Sequence, residues 1–339
     1  MKKISIAAAI FTILILSYML SCSPAPGYGT AQPPLASAET DNLIYVGFVQ
    51  VGAESDWRIA NTKSMKETFT EAKGYKFEMV DAQQNTQKQI TALREFILKD
   101  VDYIVLAPNT EAGWDTVLGE AKEAGIPVII VDRMIKTNDD SLFTAWVGSD
   151  FKQEGYNAVA ALERILEKRS RADHEINIVT LQGNLGSTAQ IGRTEGFAEK
   201  LPEHPNWKML DRQSGDFTQE RGQEVMDYFL KTYPDIDVVI AENDNMAFGA
   251  INAIEAAGKT CGPNGDIIIV SFDGVRAAFE AMIQGKIDAC VECNPLHGPR
   301  VESIIQALEK GEKVEKFIFV KESVFYAEDA ASLIDSRDY

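Results

Sequence analysis

Short apolar runs alternate with single helix-length segments along almost the whole chain, and this alternation occurs twice. In the first run the predicted strands are Leu43–Val49, Lys76–Val80, Tyr103–Leu106 and Pro127–Val131, and the predicted helices are Trp57–Lys73, Asn85–Leu98 and Gly113–Ala124. Strands separated by single helices form parallel sheets with right-handed crossovers. The pattern then restarts after Trp146-Val-Gly148.

The second run has the same character. Its predicted helices are Phe151–Leu166, Thr188–Lys200, Thr218–Thr232, Met246–Ala257, Val275–Gln284 and Arg300–Lys310. Its predicted strands are Ile176–Leu181, Lys208–Arg212, Val238–Ala241, Ile267–Phe272, Ala289–Glu292 and Phe317–Phe325. The chain has 339 residues, enough for two domains at about 150 residues each. The sequence therefore predicts an α/β protein with two doubly wound parallel-sheet lobes.

The first residues are typical of an export signal. Lys2 and Lys3 precede an apolar run over residues 4–16, which is shorter than the about 20 residues that a membrane span needs. Leu20-Ser21-Cys22 resembles the lipobox of bacterial lipoproteins, although Met19 stands where Leu is usual. We expect a signal peptide over 1–21, lipidation of Cys22 and a proline-containing linker over 22–42. The protein would then be exported and lipid-anchored on the periplasmic or extracellular side of a membrane.

Charge and composition exclude several partners. The chain carries 33 Lys and Arg against 51 Asp and Glu, a formal charge of −18. Such a negative field disfavours nucleic acids and anionic bilayers as partners. Three His and four Cys argue against a multi-ligand zinc or iron–sulfur centre.

Polar side chains with bidentate geometry follow nearly every predicted strand. In an open α/β sheet, ligands bind outside the carboxyl ends of the strands, so these side chains are candidates for binding sugar hydroxyls. Taken singly, each is also typical of a helix cap. The polar positions are Glu54, Asp56, Arg58, Asp81, Gln83, Asn109, Asp132, Arg133, Gln182, Arg193, Asp216, Asn243, Asp244, Asp273 and Glu292, with the aromatic residues Trp57 and Phe217 among them.

Several of these segments together resemble a known family. Gly52-Ala-Glu-Ser-Asp-Trp-Arg58 and Ser214-Gly-Asp-Phe-Thr218, with Asp132-Arg133, Asn243-Asp244 and Asp273-Gly274, are similar to type I periplasmic sugar-binding proteins of ABC importers. Among these the similarity is to the galactofuranose-binding component, and it extends from about Leu43 to the C-terminus. Glu242 is a departure, because the corresponding residue in that relative is His. This departure bears on which sugar is bound.

The resemblance implies a ligand cleft between two lobes that are joined by three crossings of the chain, near 148–150, 293–295 and 321–323. It implies an N-terminal lobe of 43–148 plus 295–322 and a C-terminal lobe of 149–294 plus 323–339. The implied ligand-binding residues are Glu54, Trp57, Arg58, Asp132 and Arg133 in the first lobe, Arg193, Asn243 and Asp273 in the second, and Glu292 beside the hinge. Trp57 is a candidate for stacking on the sugar and equally a candidate core residue.

The resemblance also implies a function: capture of a neutral monosaccharide, galactofuranose or a related aldose, and its delivery to the transmembrane subunits of an ABC permease. No catalytic residue, cofactor or metal is expected, and the protein is expected to be a monomer. A sensor-linked receptor for another small molecule, with a chemoreceptor or sensor kinase as partner, remains an alternative. A glycoside hydrolase with paired carboxylates is a more remote one.

Motifs of enzymes give no support to a catalytic interpretation. Gly183-Asn-Leu-Gly186 falls short of a dinucleotide fingerprint, and the sequence contains neither a phosphate-binding loop with Gly-Lys-Ser/Thr nor a Gly-x-Ser-x-Gly elbow. His174, His204 and His297 lie in polar contexts that predict surface positions. Cys261, Cys290 and Cys293 are expected as buried thiols, with a disulfide from Cys261 as the alternative.

Overall fold

The computed structural model describes residues 43–339. The signal peptide, the lipidation site Cys22 and the linker up to residue 42 lie outside the described residues. Within 43–339, no helix is both long and apolar enough to cross a membrane.

The first lobe begins with β-strands and α-helices in alternation, as the apolar pattern predicts. Its elements are β1 (Ile44–Gln50), α1 (Asp56–Thr68), β2 (Tyr75–Asp81), α2 (Thr86–Leu98), β3 (Tyr103–Leu106), α3 (Asp115–Glu123), β4 (Val128–Val131) and β5 (Ala145–Gly148). The predicted helix Trp57–Lys73 is shorter in the structure. It ends at Thr68, and a 3₁₀ turn, Glu71–Lys73, leads into Gly74, whose φ of 88° suits glycine.

The second lobe follows with the same alternation. Its elements are α4 (Phe151–Lys168), β6 (Ile176–Gln182), α5 (Thr188–Lys200), β7 (Trp207–Ser214), α6 (Gln219–Thr232), β8 (Val238–Ala241), α7 (Asp244–Ala256), β9 (Ile268–Asp273), α8 (Arg276–Ile283) and β10 (Ala289–Glu292). Four elements complete the chain: α9 (Gly298–Glu309), β11 (Phe317–Phe319), β12 (Val324–Tyr326) and α10 (Ala327–Leu333). Of these, β11 joins the sheet of the first lobe and β12 the sheet of the second.

In the described residues the strands form two six-stranded sheets, with the orders β11-β5-β4-β3-β1-β2 and β12-β10-β9-β8-β6-β7. All pairs are parallel except the antiparallel pair of β10 and β12. Both faces of each sheet are covered by apolar side chains of the helices, which explains why the strands are continuous apolar runs. The prediction of two doubly wound α/β lobes is confirmed.

The final apolar segment was predicted as one strand, Phe317–Phe325, and this prediction is wrong. The segment forms β11 in the first sheet and β12 in the second. Because both pieces are apolar, the sequence pattern continues through the point where the chain changes lobes. Within residues 43–339 the chain changes sheets three times: between β5 and α4, between β10 and α9, and between β11 and β12.

Helix caps place the start of many helices at the carboxyl ends of the strands. The side chains of Ser55, Ser187 and Asn243 each accept a hydrogen bond from a backbone N–H three residues later, at the start of α1, α5 and α7. These caps fix the loops that carry the polar strand-end residues. Polar residues at the strand ends of both lobes line one cavity.

Candidate functional site

A small cavity lies between the two lobes at the carboxyl ends of their strands. It is lined by Glu54, Ser55, Trp57, Arg58, Asp132, Arg133, Phe151, Ala189, Arg193, Phe217, Asp273 and Cys293. The structure thus brings together seven of the nine residues that the family resemblance implies as ligand-binding. The side chains leave about 20 Å³ between them, room for about one water molecule.

Arg58 organises the charges on the first-lobe wall. Its guanidinium donates to Glu54 at 3.1 Å and to Asp132 at 2.8 Å, while Arg133 donates to the Asn109 carbonyl at 3.1 Å. Burial opposes ionisation of Asp132, but Arg58 and Arg133 outweigh it and lower the pKa of this carboxyl. Burial together with the nearby Arg58 lowers the pKa of Arg133 to about 10. The first lobe therefore offers an ionised carboxylate as an acceptor.

Glu54 adds a further acceptor to this wall. Its side chain is 4% exposed, and its Oε2 atom is buried without a hydrogen-bond partner. An unpaired buried carboxylate oxygen is costly unless a donor reaches it. Glu54 therefore keeps one carboxylate oxygen free to accept a hydrogen bond.

Arg193 organises the second-lobe wall in a different way. Its Nε donates to Glu154 Oε2 at 2.6 Å, its Nη2 to Asp273 Oδ1 at 3.4 Å, and its Nη1 to the backbone carbonyl of Glu242. Burial raises the pKa of Asp273, and Arg193 only partly offsets this effect. One arginine thus lies between two carboxyl groups, of which only Asp273 lines the cavity.

Three of the lining residues have backbone in the left-handed region although none of them is glycine. The φ angles are 64° at Asp132, 62° at Phe217 and 107° at Asp273. Such conformations cost on the order of 1–3 kcal/mol each and cluster at functional sites. Of the eight non-glycine residues with positive φ in residues 43–339, these three line the cavity.

Phe217 is an aromatic wall that the sequence reasoning placed at a strand end but did not select for the site. Its ring packs against Gly183, where a Cβ atom would lie 1.9 Å from the ring. The guanidinium of Arg133, from the other lobe, lies 5.2 Å from the ring centroid. Cys293 and Phe151 also line the cavity, and neither carried a sequence signal that would have identified it.

Trp57 combines the two roles considered for it. It is 4% exposed, lines the cavity, and packs within a core cluster of the second lobe. Its indole N–H donates to the Cys293 carbonyl at 2.6 Å. The ring is thus fixed between the first lobe, which carries it, and the second crossing of the chain.

Asn243 and Glu292, the other two predicted residues, lie outside the lining. Asn243 caps α7 and donates from Nδ2 to the Phe217 carbonyl at 3.0 Å, so it holds the Phe217 loop. Glu292 accepts from Arg337 at 2.9 Å and from the Tyr339 hydroxyl at 3.1 Å. It thereby ties the C-terminal segment to the hinge.

The lobes contact each other directly around the cavity. Asn184 donates to Asn109 Oδ1 at 3.0 Å, and the backbone N–H of Met134 donates to Thr188 Oγ1 at 2.8 Å. Because these contacts enclose a cavity far smaller than a monosaccharide, the lobes have to separate before a sugar can reach the lining residues. Separation of this kind is hinge motion.

The structure corrects one histidine prediction and describes the cysteines. His297 is fully buried, contacts Asn61 at 3.0 Å and packs edge-on against Trp57, because α1 covers the second crossing. Burial lowers the pKa of His297 to about 4. Cys261, Cys290 and Cys293 are buried free thiols. The described residues include one group with metal-ligand spacing, formed by Glu154, Cys293 and Glu322.

Comparison with known proteins agrees with this geometry. A family model for a periplasmic binding protein domain matches residues 46–297. The chain belongs to the periplasmic binding protein family. The galactofuranose-binding protein YtfQ of Escherichia coli K12 is 38% identical over 298 residues, covering 87% of this chain and 91% of that protein.

Solved structures extend the similarity to the whole two-lobed fold. A Mycobacterium smegmatis protein in complex with β-D-fucofuranose has a TM-score of 0.82 and 41% identity, covering 87% of this chain and 95% of that one. The arabinose-transporter binding protein of Shewanella sp. ANA-3, bound to L-arabinofuranose, has a TM-score of 0.81 with the same identity and coverage. The protein is thus an extracytoplasmic sugar-binding protein of the ABC transporter type, and its family consists of solute-binding proteins rather than enzymes.

Proposed function

We propose that this protein is an exported lipoprotein that captures a neutral monosaccharide in its furanose form and delivers it to an ABC permease. Galactofuranose is the first candidate, and related aldofuranoses such as arabinofuranose follow. The observation that carries the proposal is the cavity between the lobes, in which Arg58 and Arg193 are hydrogen-bonded to carboxyl groups. Arg133 lies 3.9 Å from Glu54 and from Asp132.

Charge supports a neutral ligand. Arg58, Arg133 and Arg193 face Glu54, Asp132 and Asp273 in the lining, and Glu154 contacts Arg193 from behind. Asp244 points away from the cavity and accepts from Ser271 and two backbone N–H groups. A uronate or sugar phosphate would have to displace carboxylates from the arginines and bury more negative charge, which costs several kcal/mol. A sugar hydroxyl can donate to a carboxylate and accept from an arginine at the same time.

Similarity to relatives supports the furanose form. The galactofuranose-binding protein YtfQ and the structures with bound fucofuranose and arabinofuranose are 38–41% identical to this chain over 87% of its length. Trp57 and Phe217 contribute one aromatic wall from each lobe, as expected for a cavity that binds the apolar faces of a compact ring. Glu54 and Ser55 lie on the loop just before α1, the helix that carries Trp57, and supply polar groups beside it.

A ligand panel tests the proposal. Thermal unfolding is followed with galactose, arabinose, ribose, fructose, galacturonate and galactose 6-phosphate. A sugar at a hundredfold excess over its Kd should stabilise the folded protein by about 2.7 kcal/mol. Carbon NMR of galactose labelled at C1 then reports the ring form that the protein retains. Retention of the pyranose alone would contradict the furanose assignment.

The lipid anchor has a test of its own. Cys22→Ala should abolish incorporation of labelled fatty acid in cells, with Cys261→Ala as the matched control that retains it. If Cys22→Ala and the unchanged protein were labelled equally, lipidation of Cys22 would be contradicted. The proposed sugar binding would not be affected by that result.

A further inference from the structure

One carboxyl group connects all three crossings between the lobes. Glu322 lies on the third crossing, and its Oε1 accepts from the Ser149 hydroxyl on the first crossing at 2.7 Å. The same oxygen accepts from the backbone N–H of Asn294, on the second crossing, at 2.7 Å. A hinge rotation that moves the crossings relative to one another would change these distances.

A second carboxyl group faces Glu322 from α4. Glu154 is 2% exposed and uses Oε2 to hold Arg193 Nε at 2.6 Å. Its other oxygen, Oε1, is buried without a hydrogen-bond partner. Ligating atoms of Glu154, Cys293 and Glu322 all lie within 4.8 Å of one another. Glu154 therefore lies between Arg193 of the cavity and Glu322, the residue that connects the three crossings.

Burial and mutual repulsion favour a proton on this pair, and the nearby arginines only partly oppose it. Arg193 faces Glu154, Arg300 of α9 lies near Glu322, and the Cys293 thiol lies beside both carboxyl groups. Burial, and next the repulsion from Glu154, raises the pKa of Glu322 to about 9. Two buried carboxylates at this spacing repel each other, whereas a protonated Glu322 can donate to the free oxygen of Glu154.

We propose that Glu154 and Glu322 share a proton when the lobes are closed, and that Glu154 acts as a positioning residue that links Arg193 to the hinge. The proposal rests on the sugar-binding function proposed above and adds a regulatory property to it. Closing the lobes brings the two carboxyl groups together and takes up a proton from solvent. Opening exposes Glu322 to water, where it releases that proton.

The sign of the effect follows from this proton uptake. Because the closed state binds the proton more tightly than the open state, a rise in pH favours opening and weakens sugar binding. The limit for one coupled proton is about tenfold in Kd per pH unit, up to the raised pKa of Glu322 at about 9.

The test compares the full chain with Glu322→Gln in titrations with L-arabinose from neutral pH to about pH 9. Glutamine has the shape of protonated Glu322: its carbonyl can accept from Ser149 and Asn294, and its amide can donate to Glu154. We expect Kd to rise with pH in the unchanged protein and to stay constant in the variant. Glu312→Gln, at an exposed position, is the matched control and should keep the pH dependence.

A measurement without sugar separates this inference from the proposed function. Between the ordinary glutamate pKa and about 9, the unfolding equilibrium constant of the unchanged protein should rise by up to about tenfold per pH unit relative to Glu322→Gln. Absence of arabinose binding at every pH would count against this ligand but would not alter the unfolding comparison. Parallel unfolding profiles for the two proteins would overturn the shared proton.

Two further results bear on the same claim. If Glu322→Gln fails to fold, Glu154→Gln takes its place, and the midpoint of the pH profile should then move to lower pH. The titrations are repeated with a chelator and with added Zn²⁺. If the pH dependence disappeared with the chelator, the cluster of Glu154, Cys293 and Glu322 would be a metal-binding site. The proposal of a shared proton would then be overturned.

Discussion

The two walls of the cavity use the same residue types in different ways. In the first lobe, two arginines share Glu54 and Asp132, and Asp132 keeps a lowered pKa. In the second lobe, a single arginine holds two carboxyl groups whose pKa values are raised by burial. The first wall therefore has an ionised Asp132, whereas the carboxyl groups of the second wall have raised pKa values and one of them, Glu154, is connected to the hinge. Sugar affinity should depend on the first wall through contact and on the second through contact and lobe closure.

The largest effect is expected from Arg193→Met. The change leaves Glu154 and Asp273 buried without their cation, a situation that costs about 3–5 kcal/mol of stability. Urea unfolding measures this loss, and sugar binding should be abolished with it. Arg133→Met is the matched change on the first wall and should cost less stability, because Arg58 still pairs with Glu54 and Asp132. Equal stability losses would remove the distinction between the walls.

Gly183→Ala tests the aromatic wall. The added methyl group would lie 1.9 Å from the Phe217 ring, so the ring has to move, at a cost of about 1–3 kcal/mol. Calorimetric titration should show weaker sugar binding. Gly119→Ala is the control: it lies inside α3 with open space around its Cβ position and should raise stability by about 0.5–1 kcal/mol. If Gly183→Ala bound the sugar with unchanged affinity, the Phe217 ring would not contribute to sugar binding.

Asp132→Asn and Asp273→Asn should change the pH dependence of stability in opposite directions. The lowered pKa of Asp132 gives a contribution that is present above the unfolded-state value and is lost as pH falls through the folded-state value. The pKa of Asp273 is instead raised in the folded state. The unchanged protein therefore loses stability as pH rises from the unfolded-state pKa of an aspartate toward the folded-state pKa of Asp273.

Urea unfolding from acidic to neutral pH measures both variants against the unchanged protein. Asp132→Asn should be destabilised by about 1.5–3 kcal/mol at neutral pH, the range for a hydrogen bond to a charged group. Asp273→Asn should gain stability relative to the unchanged protein as pH rises. If the stability of both variants, relative to the unchanged protein, changed in the same direction with pH, the assigned difference between the pKa shifts of Asp132 and Asp273 would be contradicted.

The smallest effect is expected at the contact between the lobes. Asn184→Ala removes the hydrogen bond to Asn109 and should weaken sugar binding by the value of one such bond, about 0.5–1.5 kcal/mol, through faster release. Stopped-flow release rates measure this. Asn252→Ala, exposed on α7, is the control and should leave the rate unchanged. A slower release from Asn184→Ala would argue against this contact as a closure contact.

Most of the fold follows from patterns that the sequence displays. Buried parallel strands are continuous apolar runs, so β1, β3 and β8 were predicted almost to the residue. The change of lobe between β11 and β12 could not be predicted from the pattern, because both pieces are apolar. The three crossings came instead from resemblance to a family.

The site was predictable where chemistry coincides with strand ends, and not elsewhere. Arg58, Asp132 and Asp273 follow strands and were identified. Glu154, inside α4, and Glu322, on a crossing, have no local pattern that shows which element they face. Burial of His297 was missed for the same reason, since it depends on how α1 covers the second crossing. Contacts made by the hinge are properties of the assembled lobes.

The most direct test of the account is calorimetric titration of the protein with galactose and with galacturonate, at low and at high salt. These two sugars share most hydroxyl groups and differ by one carboxylate. The account predicts that the neutral sugar binds more tightly, with an affinity that depends weakly on salt because no net charge is neutralised. Tighter binding of galacturonate, weakened by salt, would contradict a cavity whose arginines are already paired.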